Sequence, residues 1–210
     1  WSSDVCSSDL AAGVHPLLLA LGSERYTPYE ATRRPRELLT MALHLLGTTQ
    51  TALAKYVLVA AHEDAPGLSA AHAPQFLRHL LERTDFARDL HFITHSTNDT
   101  LDYTGLGLHE GSKLIWAAAG EKRRELGLEL TGQAAELPPL PQGFGDARVA
   151  GPGLLVLRGP RHALGRNVPD PAMETLADAL AHWPGREAFP LVVVADDAAF
   201  CARDMDNFLW

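Results

Sequence analysis

Tyr56-Val-Leu-Val-Ala-Ala-His-Glu-Asp64 opens with six uninterrupted apolar residues and ends in a polar, acidic tip. A run of that length with no polar alternation reads as a strand covered on both faces, the pattern of a central strand in a parallel sheet. Leu191-Val-Val-Val-Ala-Asp-Asp197 repeats the pattern, and each copy leads through a short loop into a helical stretch, with Phe76-Leu77 in the first and Phe208-Leu209 in the second. Alternating strand and helix points to an open sheet flanked by helices.

Working outward, Val14 to Leu21 reads as a strand with Pro16 near its start. Ser23 to Glu30 is a polar loop. Pro35 opens a helix whose Leu38, Leu39, Met41, Ala42, Leu45 and Leu46 form one stripe, stopped by Gly47. Ala71 to Thr84 is predicted as a helix, Asp89 to His95 as a strand and Ser96 to Gly111 as a loop. Ser112 is predicted to cap a helix through about Leu126, on the spacing of Leu114, Ile115, Ala118 and Ala119. Gly132 to Gly153, with Pro138, Pro139, Pro141 and Pro152, reads as a linker. Leu154–Leu157 and Leu191–Ala195 read as strands and Pro171–His182 as a helix.

The expected architecture is therefore α/β: an open, mainly parallel or mixed sheet with helices on both faces, truncated at both ends. Residues 11–131 form the main domain, 132–153 the linker, and 154–210 a second βαβα segment packing on the same domain. Residues 1–10, where Ser2-Ser-Asp-Val5 echoes as Ser7-Ser-Asp-Leu10, read as a non-native or disordered tail. The apolar ending Asp204-Met-Asp-Asn-Phe-Leu-Trp210 lacks a helix stop signal.

Composition narrows the function. The chain has 210 residues, 46% of them apolar, enough for a packed core. Eighteen basic against 26 acidic side chains give a net charge of −8, which argues against general nucleic-acid binding. No apolar run approaches the roughly 20 residues of a membrane span. Two cysteines, Cys6 and Cys201, make no disulfide framework and fit a reducing, cytoplasmic setting.

Several residue groups could carry chemistry, each beside a plainer reading. The tips His62-Glu-Asp64 and Asp196-Asp197 end strands where open α/β sheets bind ligands, or they simply face water. Asp102-Tyr-Thr-Gly-Leu-Gly-Leu-His-Glu-Gly-Ser-Lys113 places glycines before the expected helix start, a cradle for an anion, with Gly111, Ser112 and Lys113 as its candidates. Its spacing matches neither a P-loop nor a dinucleotide fingerprint. His91, His95 and His62 lack any ligand spacing that would mark a metal centre. Cys201 reads as packing, and Pro138-Pro-Leu-Pro141 as linker. Arg158, Arg161, His162 and Arg166 read as a solvated loop or a weak anion site.

In order and spacing, four segments resemble the C-terminal part of UbiD-type decarboxylases, the relatives of 3-polyprenyl-4-hydroxybenzoate and ferulic acid decarboxylases. They are Ala54–Asp64, the helix with Phe76, Leu77 and Leu80, Thr84-Asp-Phe-Ala-Arg-Asp-Leu90, and Gly111-Ser-Lys113. The likeness is best over about residues 13–120, with 150–210 similar to longer bacterial members. His62 departs from the acid commoner there. The resemblance implies reversible, non-oxidative decarboxylation of an aromatic or α,β-unsaturated acid, such as 4-hydroxy-3-polyprenylbenzoate in ubiquinone or menaquinone biosynthesis. It implies prenylated FMN and a divalent metal, Mn or Mg, with a Glu-Arg-Glu proton network. All of these belong to an N-terminal domain outside these residues, so no catalytic residue, metal ligand or cofactor is expected on this chain. This part is then expected to self-associate into a homo-oligomer and to wall the substrate pocket through roughly His95 to Leu101, with His95, Thr97, Asn98 and Leu101 as candidates. The alternative is a non-catalytic α/β module that binds a small anion at Gly105–Lys113.

Overall fold

A computed structural model of the chain describes residues 5–8, 16–26, 30–102, 107–161 and 168–209. Two compact units divide at Arg123/Arg124.

In the first unit, β1 (Val5–Ser8), β2 (Leu17–Gly22), α1 (Arg36–Leu46), β3 (Tyr56–Ala61), α2 (Ala73–Arg83), β4 (Leu90–Thr97) and β5 (Glu110–Ala118) follow in chain order. The sheet runs β1-β2-β3-β5-β4. Strands β2, β3 and β5 are mutually parallel, and antiparallel β1 and β4 close the edges. Central β3 is buried from Val57 to Ala61, as its unbroken apolar run predicts. Register aligns Leu18 with Val57 and Val57 with Ile115, and these face α1 through Leu38, Met41 and Ala42. The other face carries Leu58 beside Trp116, and the Trp116 Nε1–H donates to Thr84 Oγ1 at the end of α2 over 2.7 Å. One helix therefore covers each face.

Local chemistry sets the boundaries. Glu24, from the loop after β2, caps α1 by accepting the Leu38 N–H at 2.9 Å. A Cβ on Gly22 would lie 2.6 Å from Leu38 Cδ2, so the close seating of α1 on the end of β2 requires glycine there. The first unit also holds two corrections. The helix expected over 112–126 is strand β5, and residues 119–131 contain no helix. Leu114, Ile115, Ala118 and Ala119 satisfy helical spacing only because the whole run is apolar, as a strand buried on both faces must be. Residues 5–8, expected within a tail, pair with β2 as an edge strand in the register Val5 to Ala20.

The second unit contains β6 (Gly145–Gly151), β7 (Leu154–Arg158), α3 (Pro171–Ala181), β8 (Leu191–Ala195), α4 (Ala198–Cys201) and α5 (Met205–Leu209). Its sheet is β6-β7-β8, with β7 antiparallel to β6 and parallel to β8. Asp170 caps α3 by accepting the Ala172 N–H at 2.9 Å, with Pro171 in the first turn. Trp183, 1% exposed, stacks on Phe189 with ring centroids 6.0 Å apart and anchors a core with Leu155, Leu157 and Leu176. The stretch 132–153, read as a linker, instead supplies β6 and buries Ala134 and Phe144. Its prolines flank these elements rather than interrupting them. Residues 124–210 thus carry their own sheet and core.

Candidate functional site

The parallel strands of the first unit present two polar clusters, one at each end and about 17 Å apart along β3. At the amino end, Lys55 immediately precedes β3, and its Nζ lies 3.0 Å from Asp102 Oδ2. The same carboxylate oxygen accepts from Asn98 Nδ2 at 2.9 Å. Asn98 is 2% exposed, and its backbone N–H donates to the His109 carbonyl. Its Oδ1 is buried with no hydrogen-bond partner among the described residues. Gly111 of β5 lies directly beneath that carboxamide; a Cβ there would overlap Asn98 Nδ2.

Two residues along the same face of β5, Lys113 is 4% exposed and donates from Nζ to the carbonyls of Ala52 and Ala54, each at 2.8 Å. Burial pushes its pKa below the ordinary lysine value, Asp102 pulls it back up and Lys55 lowers it again. Among the described residues, the cluster holds two ammonium groups against one carboxylate, with the Asn98 Oδ1 acceptor unpartnered. Such a site attracts a negative charge and offers Asn98 Oδ1 to a donor.

The structure brings Asn98, Gly111 and Lys113 together and adds Lys55 and Asp102, which the sequence reading missed. Asp102 stands four residues beyond Asn98 in one turn, and Lys55 is a charge set directly before an apolar strand; those were the available signals. His95, Thr97 and Ser112 are exposed, and Leu101 is 47% exposed. His95 sits at a bulge in β4 with φ +54°, which interrupts the side-chain alternation between it and His91. Ser112 faces away from Gly111 and Lys113 because neighbours on a strand point to opposite sides. The anion cradle expected at a helix start loses its basis, since Gly111–Lys113 lie inside a strand and supply no helix N-terminus. Gly105 at its other end lies outside the described residues, as do His162 and Arg166 of the second anion candidate.

At the carboxyl end of the strands, the acidic tip of β3 is occupied by protein donors. Glu63 accepts from the Ser23 hydroxyl, from the Glu24 N–H at 3.2 Å and from Arg25 Nε at 2.8 Å. Burial opposes its ionisation, but these bonds hold its pKa down to about 2. Asp64 pairs with Arg33 and accepts the Gly120 N–H at 2.6 Å. Neighbouring Glu24 moves the other way: burial pushes it up to about 7, against the Leu38 N–H and with help from Glu37 and Glu63. In the second unit, Asp197 caps α4 by accepting the Phe200 N–H at 2.9 Å. The tips are thus spent on fastening loops and a helix end. Among the described residues, no three His, Cys, Asp or Glu side chains gather where they could hold a metal ion, and no helix is long and apolar enough to cross a membrane.

The family model described as 3-octaprenyl-4-hydroxybenzoate carboxy-lyase C-terminal domain matches residues 7–118, from β1 to the end of β5. An uncharacterized protein of Chlamydia trachomatis serovar D is 32% identical over 199 residues, covering 95% of this chain and 29% of the relative. A 4-hydroxybenzoate decarboxylase subunit of Chlamydia pneumoniae is 30% identical over 207 residues, again 95% of this chain and 29% of the relative. The chain therefore spans less than a third of the length of these curated relatives. The open form of Sedimentibacter hydroxybenzoicus vanillic acid decarboxylase (ShVdcCD) overlaps 61% of this chain and 24% of its own at 19% identity, with a TM-score of 0.43.

Proposed function

Since this chain belongs to the family of the 3-octaprenyl-4-hydroxybenzoate carboxy-lyase C-terminal domain, that is, the C-terminal portion of a UbiD-type decarboxylase, we propose that it serves a carboxy-lyase that removes CO2 reversibly and without net oxidation from an aromatic or α,β-unsaturated acid. A 4-hydroxy-3-polyprenylbenzoate of quinone biosynthesis is the substrate type that the family description favours. The observation that carries the reading is the match over residues 7–118, which takes in the whole Lys55–Asn98–Asp102–Lys113 cluster.

In this reading, the chain's residues hold and orient rather than react. Asp102 and Gly111 lock Asn98 in place, and the segment from Asn98 to Asp102 becomes a fixed part of the pocket wall. The two ammonium groups bias that wall toward an acid. Prenylated FMN and a divalent Mn or Mg ion, the cofactors of the reading, would be held by polypeptide outside these residues. The described residues offer no three-ligand cluster and do not fit the metal. The chain would also contribute to self-association.

The test uses the full-length protein carrying this segment, loaded with prenylated FMN. CO2 release and isotopic CO2 exchange are followed for a panel of hydroxybenzoates and cinnamates. Asp102→Ala is expected to raise KM more than it lowers kcat, because it removes the acceptor that holds Asn98 and leaves the cofactor untouched. Absence of CO2 release or exchange from every acid in the panel would overturn the reading. Light scattering on the isolated chain tests self-association, with a mass above 22.8 kDa expected.

A further inference from the structure

The carboxyl end of the parallel strands opens onto a cavity of about 380 Å³ that the carboxy-lyase reading does not use. Five cationic side chains line it: Arg33 from the loop before α1, Arg83 at the end of α2, Arg88 before β4, and Lys122 and Arg123 after β5. Gly120 contributes backbone to the same wall, at φ +103° and with its hypothetical Cβ only 3.1 Å from the Arg33 carbonyl, so the chain there approaches as closely as glycine allows. Glu121 is the one carboxylate among the described lining residues.

Each cation is pinned by a carboxylate that does not itself line the cavity. Arg33 pairs with Asp64. Arg83 Nη1 and Lys122 Nζ lie 3.2 and 3.0 Å from Glu82. Arg88 binds Asp89 through Nε at 2.5 Å and Nη2 at 3.0 Å. Arg123 Nη2 is 3.4 Å from Asp85. These pairs leave other N–H groups of the same side chains without a partner among the described residues. The Arg83 side chain is only 9% exposed; Nε donates to the Gly120 carbonyl and Nη1 to His79 and Glu82, while Nη2 has no partner among the described residues. Arg33 keeps Nε and Nη1 in the same state, Arg88 keeps Nη1, and Arg123 keeps Nε and Nη1. These guanidinium and ammonium groups gather around one cavity, and their remaining N–H groups are donors that an anion can take up in place of water.

We propose that this cavity is a binding site for the phosphate group of a small metabolite. The donors come from four separate segments and so approach from several directions. A planar carboxylate is satisfied by one guanidinium fork, whereas a tetrahedral phosphate accepts from several sides at once. The volume lies within the range of small-molecule sites, and the carboxyl ends of parallel strands are where open α/β sheets bind ligands. The site lies at the opposite end of β3 from Asn98 and Lys113.

The test measures binding to the 210-residue chain with inorganic phosphate, and with malonate as a planar counterpart, at constant ionic strength. Calorimetry on phosphate is expected to show one saturable site, and amide NMR shifts are expected to concentrate at Gly120 to Arg123 and Arg33. Arg123→Gln is expected to weaken phosphate about tenfold, while Arg148→Gln in the second unit leaves it unchanged. Absence of saturable phosphate binding, malonate binding as tight as phosphate, or shifts centred elsewhere would overturn the proposal. Shift mapping on the unmodified chain keeps the test valid if Arg123→Gln fails to fold.

Discussion

Gly111 and Asn98 are locked together: the backbone of one strand lies against the carboxamide that follows the next, with no room for even one methyl group between them. Gly111→Ala must therefore push Asn98 off Asp102 or displace β5. The expected cost is about 2–4 kcal/mol in urea unfolding. Asn98→Ala in the same background is expected to recover part of it, because the overlap disappears. A Gly111→Ala protein as stable as the parent would show that the contact is not this tight.

The pH dependence of stability divides between two neighbouring carboxyls. Glu24 has a folded-state pKa of about 7 against an ordinary 4.5, so between those values the folded chain keeps a proton that the unfolded chain has lost. Its contribution is full below pH 4.5, declines as pH rises to 7, and stays lost above. Glu24→Gln retains the acceptor for the Leu38 N–H without the charge. It is expected to stabilise by on the order of 1–3 kcal/mol at pH 8 and by little at pH 4. Denaturant midpoints of both proteins across pH check this.

Glu63 runs in the opposite sense. Its pKa is held down to about 2, so its stabilisation is present above pH 4.5 and is lost as pH falls toward 2. Glu63→Gln is expected to destabilise at pH 7 and to converge on the parent near pH 2. A constant difference between the two across that range would contradict the assignment.

Thr84 Oγ1 accepts the Trp116 indole N–H at 2.7 Å, and its hydroxyl donates a hydrogen bond to the Leu80 carbonyl, also at 2.7 Å. Thr84→Val keeps the shape and removes the acceptor, stranding a buried donor. The expected cost is about 1–3 kcal/mol. Thr84→Ser should retain most of the stability, with the difference read by thermal unfolding.

In the second unit, a Cβ on Gly185 would strike the Trp183 indole and lie 2.9 Å from Ala134 Cα. Gly185→Ala is expected to lose about 2 kcal/mol or more and to disturb the stacked Trp183–Phe189 pair, visible as a change in near-UV dichroism.

Much of the first unit was legible from residue order. The Tyr56–Ala61 run announced a central strand, and the stripe from Leu38 to Leu46 announced a helix. The same logic misread Leu114 to Ala119. A run that is apolar throughout fits either period, and only its pairing with β3 on one side and β4 on the other makes it a strand. The prolines of 138–152 also misled, because turn signals do not show that a short strand such as β6 fits between them. At the candidate site, Asn98, Gly111 and Lys113 came from the family resemblance and the glycine pattern. Lys55 and Asp102 lie 47 positions apart, and no local pattern joins them.

Residue order by itself determined the α/β class, the covered strands, most helix positions and the family likeness, because each rests on short-range periodicity or on motif order. Tertiary structure alone decided which charges meet. The β3–β5 pairing sets Lys113 beneath the turn that ends at Ala54, and the Gly120 turn carries Lys122 and Arg123 to the arginines at the end of α2 and before β4. Long-range register, set by burying both faces of one sheet, placed these groups, and no stretch of neighbouring residues encodes it.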